Sequence, residues 1–438
     1  YHDPNLPTGV IGAFYTVVPV GNPLPAGPYE LLDSCYQPSD ETLSADVRAK
    51  VGVSFAKLEE EAFRITGNLP EEHRTSRGER LFPSKKFPTG RFRMLQPSSN
   101  TYVPFRRVRV RCRSLTNVAT AYTDAYGNYT MTVGFRYNPT YSIELTNAAG
   151  FTLHGRADFV QPTTFPYGIH ANEGWGQDFN AAASIWTFAT VNNASYDYYT
   201  RCSAHGVSTP PSRLKIWVYN IPGTNLITGS APMLSKTFGL TGFNTDNNVV
   251  DFLLNANRIT VSLNVVASLT KFLQPDITLF IRNGYTGNEI IHRVVYHELA
   301  HASHWRIVGN TFWQRYINYI ISYGITNPPY GDGMGVNAEL CGVGEMWGNY
   351  FGAVIEREVY GRVPSFTGTW TWLDEDEDWY NPGFLRKADS IADISTAEVF
   401  SSIGASTQSF NTLIYQLQLR TNFDNLVQEK YDFYSDWP

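Results

Sequence analysis

Charge is scarce in this chain. Asp, Glu, Lys and Arg make up 17 % of its 438 residues, and the formal net charge is only −6. So mild a balance gives no electrostatic footprint for a nucleic-acid partner. Cysteine is scarcer still. Cys35, Cys112, Cys202 and Cys341 lie far apart and form no CxxC pair, which excludes a cysteine-rich zinc site. A disulfide scaffold does not suit a chain of this length, so buried free thiols are expected, and Cys35–Cys112 is the one bridge to consider. No apolar run reaches about 18 residues, so no transmembrane helix is expected. No signal peptide is visible ahead of Tyr1-His2-Asp3-Pro4. Few charges with many Tyr, Asn and Thr suggest export, with a leader removed, to the extracellular space or the cell surface, where the chain could be anchored.

Aromatic residues, in contrast, are plentiful. Phe, Trp and Tyr make up 14 % of the chain, with 27 Tyr and 10 Trp. That fits a folded, loop-rich protein and argues against disorder. The length implies two or three domains.

Residues 1–93 read as an irregular, Pro/Gly-rich segment with one helix, in which Val51, Phe55, Leu58, Ala62 and Phe63 recur at helical spacing. Thr75–Arg93 reads as a basic linker. The period then changes. Arg107, Arg109, Arg111 and Arg113 alternate with Val108, Val110 and Cys112, which marks a half-buried strand with its arginines outward. Val118–Thr123, Thr130–Val133 and Tyr141–Thr146 supply further short strands. Together they imply a small β-sandwich over 94–160. From 161 the pattern becomes mixed. Asp178–Ser203 reads as one long helix, Leu214–Tyr219 and Ile277–Ile281 as strands, and Asp251–Leu263 as further strand. After Asn288 the chain turns mostly helical.

Between two of the short strands stands Thr123-Asp124-Ala125-Tyr126-Gly127-Asn128-Tyr129. This run in its β context resembles the T-D-x-x-G-x-Y motif of carboxypeptidase-regulatory-like (transthyretin-like) domains. The resemblance implies an accessory module without catalysis.

The segment richest in chemistry is His297-Glu298-Leu299-Ala300-His301. Thr286 and Glu289 form a capping-box pattern ahead of it, so a helix is expected to start there. Ile291, Val295, Leu299 and Ala302 make its buried stripe. Histidines four residues apart share one helical face, and both imidazoles can reach one ion about 2 Å from each nitrogen. Glu298 is rotated about 100° from His297. It points beside the ion, where it can take a proton from water that the ion acidifies.

This pattern resembles the zincin metallopeptidases, over roughly residues 161–378. The HExxHxxGxxH form of the metzincins does not fit, because His304 stands at the glycine position and Ile307 at that of the last histidine. Gluzincins take a glutamate from a later helix, and Val343–Gly352 looks like that helix. Glu345 and Glu339 compete as third ligand. Glu345 is favoured, because Cys341, Gly342 and Gly348 share its face and let the helix come close to another. Glu339 shares its face with Val343, Met346 and Tyr350, which look like packing residues.

The resemblance therefore implies a multidomain chain. A small β-sandwich precedes an α+β zincin-like catalytic domain over 161–438, with a mostly helical C-terminal half. Zn2+ is held by His297, His301 and Glu345, and Glu298 is the general base in hydrolysis of a peptide or protein substrate. A Tyr or His is expected to donate to the developing oxyanion. Among Tyr350, Tyr360 and Tyr380, the last is the first choice, since it follows the acidic loop Asp374–Asp378 after the ligand helix. Two rivals stand beside this reading. One is a non-catalytic cell-surface protein that binds glycan or protein on a retained zincin scaffold, against which Glu298 argues. The other is a closed structural zinc site with His304 as fourth ligand.

Overall fold

A computed structural model describes residues 84–114, 117–155, 161–221, 227–237, 275–323, 331–361, 379–380, 383–389, 394–421 and 424–435. All fall in the compact unit from Gly78 onward. The helix expected near Val51, the strand expected over Asp251–Leu263 and the acidic run Asp374–Asp378 lie outside the described residues.

A β-rich region is followed by a helical C-terminal half. The strands are β1 Thr89–Gln96, β2 Thr101–Pro104, β3 Val108–Arg113, β4 Val118–Tyr122, β5 Asn128–Thr130, β6 Thr140–Asn147, β7 Phe151–His154, β8 Thr164–Ile169, β9 Gln177–Phe179, β10 Leu214–Ile221, β11 Thr228–Ser230 and β12 Ile277–Arg282. The main helices are α1 Trp186–Ala204, α2 Asn288–Tyr323, α3 Ala338–Tyr360, α4 Phe384–Asp389, α5 Thr396–Ser402, α6 Phe410–Thr421 and α7 Asp424–Ser435.

The alternation over residues 107–113 produces β3 as expected. Val108, Val110 and Cys112 are buried, while Arg109 and Arg111 lie at the surface and pair with Glu144 on β6. The T-D-x-x-G-x-Y run closes the turn between β4 and β5. Buried Thr123 donates to the Phe105 carbonyl at 2.8 Å and accepts from Val108 N at 3.0 Å. Asp124 Oδ1 accepts from Tyr126 N and Asn128 N, both at 2.8 Å. Gly127 takes φ +81°, a conformation that strains any side chain, and the Tyr129 hydroxyl donates to the Trp175 carbonyl.

Three expected boundaries move, and one is the strand expected over Thr130–Val133, which is Asn128–Thr130. The linker expected up to Arg93 ends earlier, because β1 begins at Thr89. Phe92 and Met94 turn inward and Arg91 and Arg93 outward, so period-two burial outweighs the Gly and Pro around it. The helix expected from Asp178 begins only at Trp186. Gln177–Phe179 instead pairs with β1, and Asn180 Oδ1 accepts from Ala182 N, a local turn that delays the helix.

The small sheet runs β2-β1-β5, with β9 also on β1. The large one runs β11-β12-β10-β7-β6-β3-β4, with β8 on β6. β7 and β10 pair in parallel, Phe151 opposite Leu214, so the large sheet continues across residue 160. Cys112, Cys202 and Cys341 are buried free thiols, as the composition implied, which leaves no Cys35–Cys112 bridge. Cys35 itself lies outside the described residues.

Helix α1 ties the β region to the helical half. The Arg106 guanidinium, on the β side, makes a two-pronged ion pair with Asp197 at 2.8 and 2.7 Å. The next residue of α1, Tyr198, donates to Ser303 Oγ on α2 at 2.8 Å. No helix among the described residues is long and apolar enough to cross a membrane.

Candidate metal centre

Helix α2 starts at Asn288, just inside the Thr286–Glu289 pattern. The stripe behind its chemistry is buried as expected, with Ile291, Val295, Leu299 and Ala302 at 0–1 % exposure. Gly309, at φ 77° and ψ −178°, breaks the helical path inside the 36-residue span. Glycine alone adopts that conformation readily. The second half of α2 then brings Trp313 and Tyr316 back against His301, with ring centroids 6.1 and 5.9 Å away.

Helix α3 packs across α2 on a run of glycines. A Cβ on Gly348 would stand 2.9 Å from Cε1 of both His297 and His301, and one on Gly352 would stand 3.3 Å from His297 N. This close approach delivers Glu345, which is 1 % exposed, between the two imidazoles. Glu339 points to solvent on the outer side of the same helix. Trp347 Nε1 donates to the Ala300 carbonyl at 2.9 Å and pins the two helices at this level.

His297, His301 and Glu345 form a group whose ligand atoms all lie within 4.8 Å of one another and could hold a metal ion. Nε2 of His297 and of His301 stand 3.0 Å apart. Glu345 Oε2 is 3.4 Å from His297 Nε2, and Oε1 is 3.5 Å from His301 Nε2. Donors about 2.0–2.1 Å from a tetrahedral ion stand roughly 3.3–3.4 Å apart, so the spacing fits one ion. Glu298 Oε2 and Glu345 Oε2 are buried with no hydrogen-bond partner, an arrangement a protein tolerates where another ligand completes it.

Electrostatics among the protein groups follows from burial and proximity. Burial alone would raise Glu345, but His301 and His297 hold its carboxyl far below the usual range. Burial pushes Glu298 up to about 8, with Glu345 adding to the rise and His297 opposing it. Burial lowers His301, helped by His297 and opposed by Glu345. His297 is raised, because Glu345 and Glu298 outweigh its burial.

The remaining expected residues fall elsewhere. His304 is fully buried, and its Nε2 meets the Ile403 carbonyl at 2.9 Å, turned from the cluster into the α5 packing. It is therefore not a fourth ligand. The hydroxyls of Tyr350 and Tyr360 meet Thr396 Oγ1 and His292 Nδ1. Tyr380 lies against Gly342, one turn before Glu345. β12, the strand before the helix, is interior, because β11 pairs along its outer side. Among the described residues the edge strand is β11, and it meets the centre directly: a Cβ on Gly229 would stand 2.6 Å from Glu298 Oε1. Sequence reading missed both Gly229 and Tyr316, whose hydroxyl donates to Glu345 Oε1. Neither carries a local signal, since each depends on a strand pairing or a helix break. No protein-family model matches the chain, and no curated protein matches its sequence.

Proposed function

We propose that the chain is a zinc-dependent hydrolase that cleaves peptide bonds, with a gluzincin-type centre of His297, His301 and Glu345. One observation carries this reading: a partnerless buried carboxylate oxygen on Glu298 lies beside two imidazoles and a carboxylate spaced for a single ion. Two imidazoles and one carboxylate favour zinc over calcium or magnesium, and three protein donors leave a position open. A zinc ion held there would polarise a substrate carbonyl and acidify water.

The chain's own groups do the rest. Glu298 takes a proton from the attacking water and passes it to the leaving amine. Burial makes its ionised carboxylate costly, which favours taking up a proton during the reaction. Gly229 lets β11 approach Glu298 closely, and β11, the outer strand of the large sheet among the described residues, is the edge to which an extended peptide can add. The β region ahead of the centre is read as transthyretin-like from the Thr123–Tyr129 turn, and its large sheet runs on into β10, β12 and β11. Composition supports export to the extracellular space or the cell surface.

The test is Glu298→Gln. Zinc stoichiometry should stay at the wild-type level while hydrolysis of an unfolded protein substrate falls at least ~100-fold. Undiminished hydrolysis by that variant would remove the mechanism.

A further inference from the structure

Tyr316 stands outside the three-residue group, yet its hydroxyl donates to Glu345 Oε1. The ring that carries this hydroxyl has little freedom. It stacks on Trp313 with centroids 4.6 Å apart and planes 10° from parallel. Its other side fills the space over Gly344, where a Cβ would stand 2.5 Å from Tyr316 Cε2. Trp313 is itself anchored, its Nε1 donating to the Ala231 carbonyl just past β11 at 3.2 Å.

Cys341, one turn before Glu345 on α3, also lies near the Tyr316 hydroxyl. Glu345 Oε2 is buried without a hydrogen-bond partner. Each carboxylate oxygen faces one imidazole, Oε2 at 3.4 Å from His297 and Oε1 at 3.5 Å from His301, but only Oε1 also holds a phenol.

A carboxylate can bind an ion through one oxygen or two, and an O–H on one oxygen favours the single-oxygen mode. We propose that Tyr316 is a positioning residue that fixes Glu345 as a one-oxygen ligand, with Oε1 committed to the phenol and Oε2 to the ion. The inference rests on the zinc reading of His297, His301 and Glu345. Its consequence is a coordination sphere with three protein donor atoms and not four, which leaves room for water and a substrate carbonyl together.

The experiment uses the full chain, apo protein being titrated with zinc against a chromogenic chelator. Tyr316→Phe removes one oxygen and keeps the ring on Trp313. Zinc affinity should fall 10–100-fold, the usual cost of losing a group that orients a ligand. Cobalt(II) in the same protein reads the geometry. Its visible absorption should weaken in the variant, as Glu345 takes up two-oxygen binding and the coordination number rises. Gly344→Ala, which displaces the ring while keeping the hydroxyl, should change both readouts in the same direction, and it carries the test if Tyr316→Phe does not fold. Wild-type affinity in both variants would overturn the proposal. So would weakened affinity with an unchanged cobalt spectrum, which is what a purely structural role produces. A wild-type chain that binds no zinc is a distinct result: it overturns the metal reading and this inference with it.

Discussion

Gly348 lies so close to His301 that a Cβ built on it would stand 2.9 Å from Cε1 and 3.0 Å from Nε2 of that imidazole. The same Cβ would meet His297 Cε1 at 2.9 Å. Distances under 3 Å between non-bonded heavy atoms force movement, and here the neighbours are two rings fixed on a packed helix. The absence of a side chain at Gly348 is therefore what lets α3 bring Glu345 to the histidines.

Gly348→Ala should consequently separate the helices or rotate both rings. Overpacking of this kind costs about 1–3 kcal/mol. Zinc affinity should fall more steeply than stability does, because ligand geometry tolerates less displacement than the core. Chemical denaturation of the apo protein and chelator competition of the loaded protein separate the two effects. A variant with wild-type zinc affinity would show that the approach at Gly348 does not set the centre.

Replacing the two candidate glutamates in turn tests the third ligand. Glu345→Gln should weaken zinc binding by at least 10-fold, since it removes the only carboxylate between His297 and His301 among the described residues. Glu339 faces solvent, so Glu339→Gln should bind zinc as the wild type does. The opposite pattern, measured by zinc stoichiometry after dialysis, would assign the ligand to Glu339.

Acid should destabilise the fold through histidines that have no part in the chemistry. Burial lowers His154 and His292 to about 4 from an ordinary 6.5, with Lys215 adding to the effect at His154 and Arg106 adding at His292 against Asp197. Both folded-state values lie below the unfolded one. As pH falls, the unfolded chain binds protons first, and stability is lost between about pH 6.5 and 4. Each histidine accounts for up to roughly 3 kcal/mol of that loss. Above pH 6.5 neither contributes. His154→Gln should flatten part of the decline in urea midpoint between pH 7 and pH 4.5; an unchanged slope would contradict the assignment.

Much of this arrangement is legible in the sequence, for reasons that differ by element. The HELAH segment declares itself because ligand spacing, helical periodicity and the Ile291–Ala302 stripe all fall within a few turns of one helix. The choice of Glu345 over Glu339 is legible because glycines at helical spacing mark a close approach, which Gly348 and Gly352 make. The arginine alternation of β3 reads directly, since one strand carries both faces.

What the sequence conceals depends on distant partners. β1 hides among Gly and Pro, because its inward pair, Phe92 and Met94, is too short a period to stand out. β11 is three residues long, and its place is set only by pairing with β12. Tyr316 was one tyrosine among 27, and only the break at Gly309 folds it back onto Glu345.

The most direct measurement is zinc K-edge X-ray absorption of the purified, zinc-loaded wild-type chain. The account predicts a first shell of nitrogen and oxygen only, at about 2.0–2.1 Å, with outer-shell scattering from two imidazoles. Sulfur at about 2.3 Å, or scattering that requires three or more imidazoles, would contradict it.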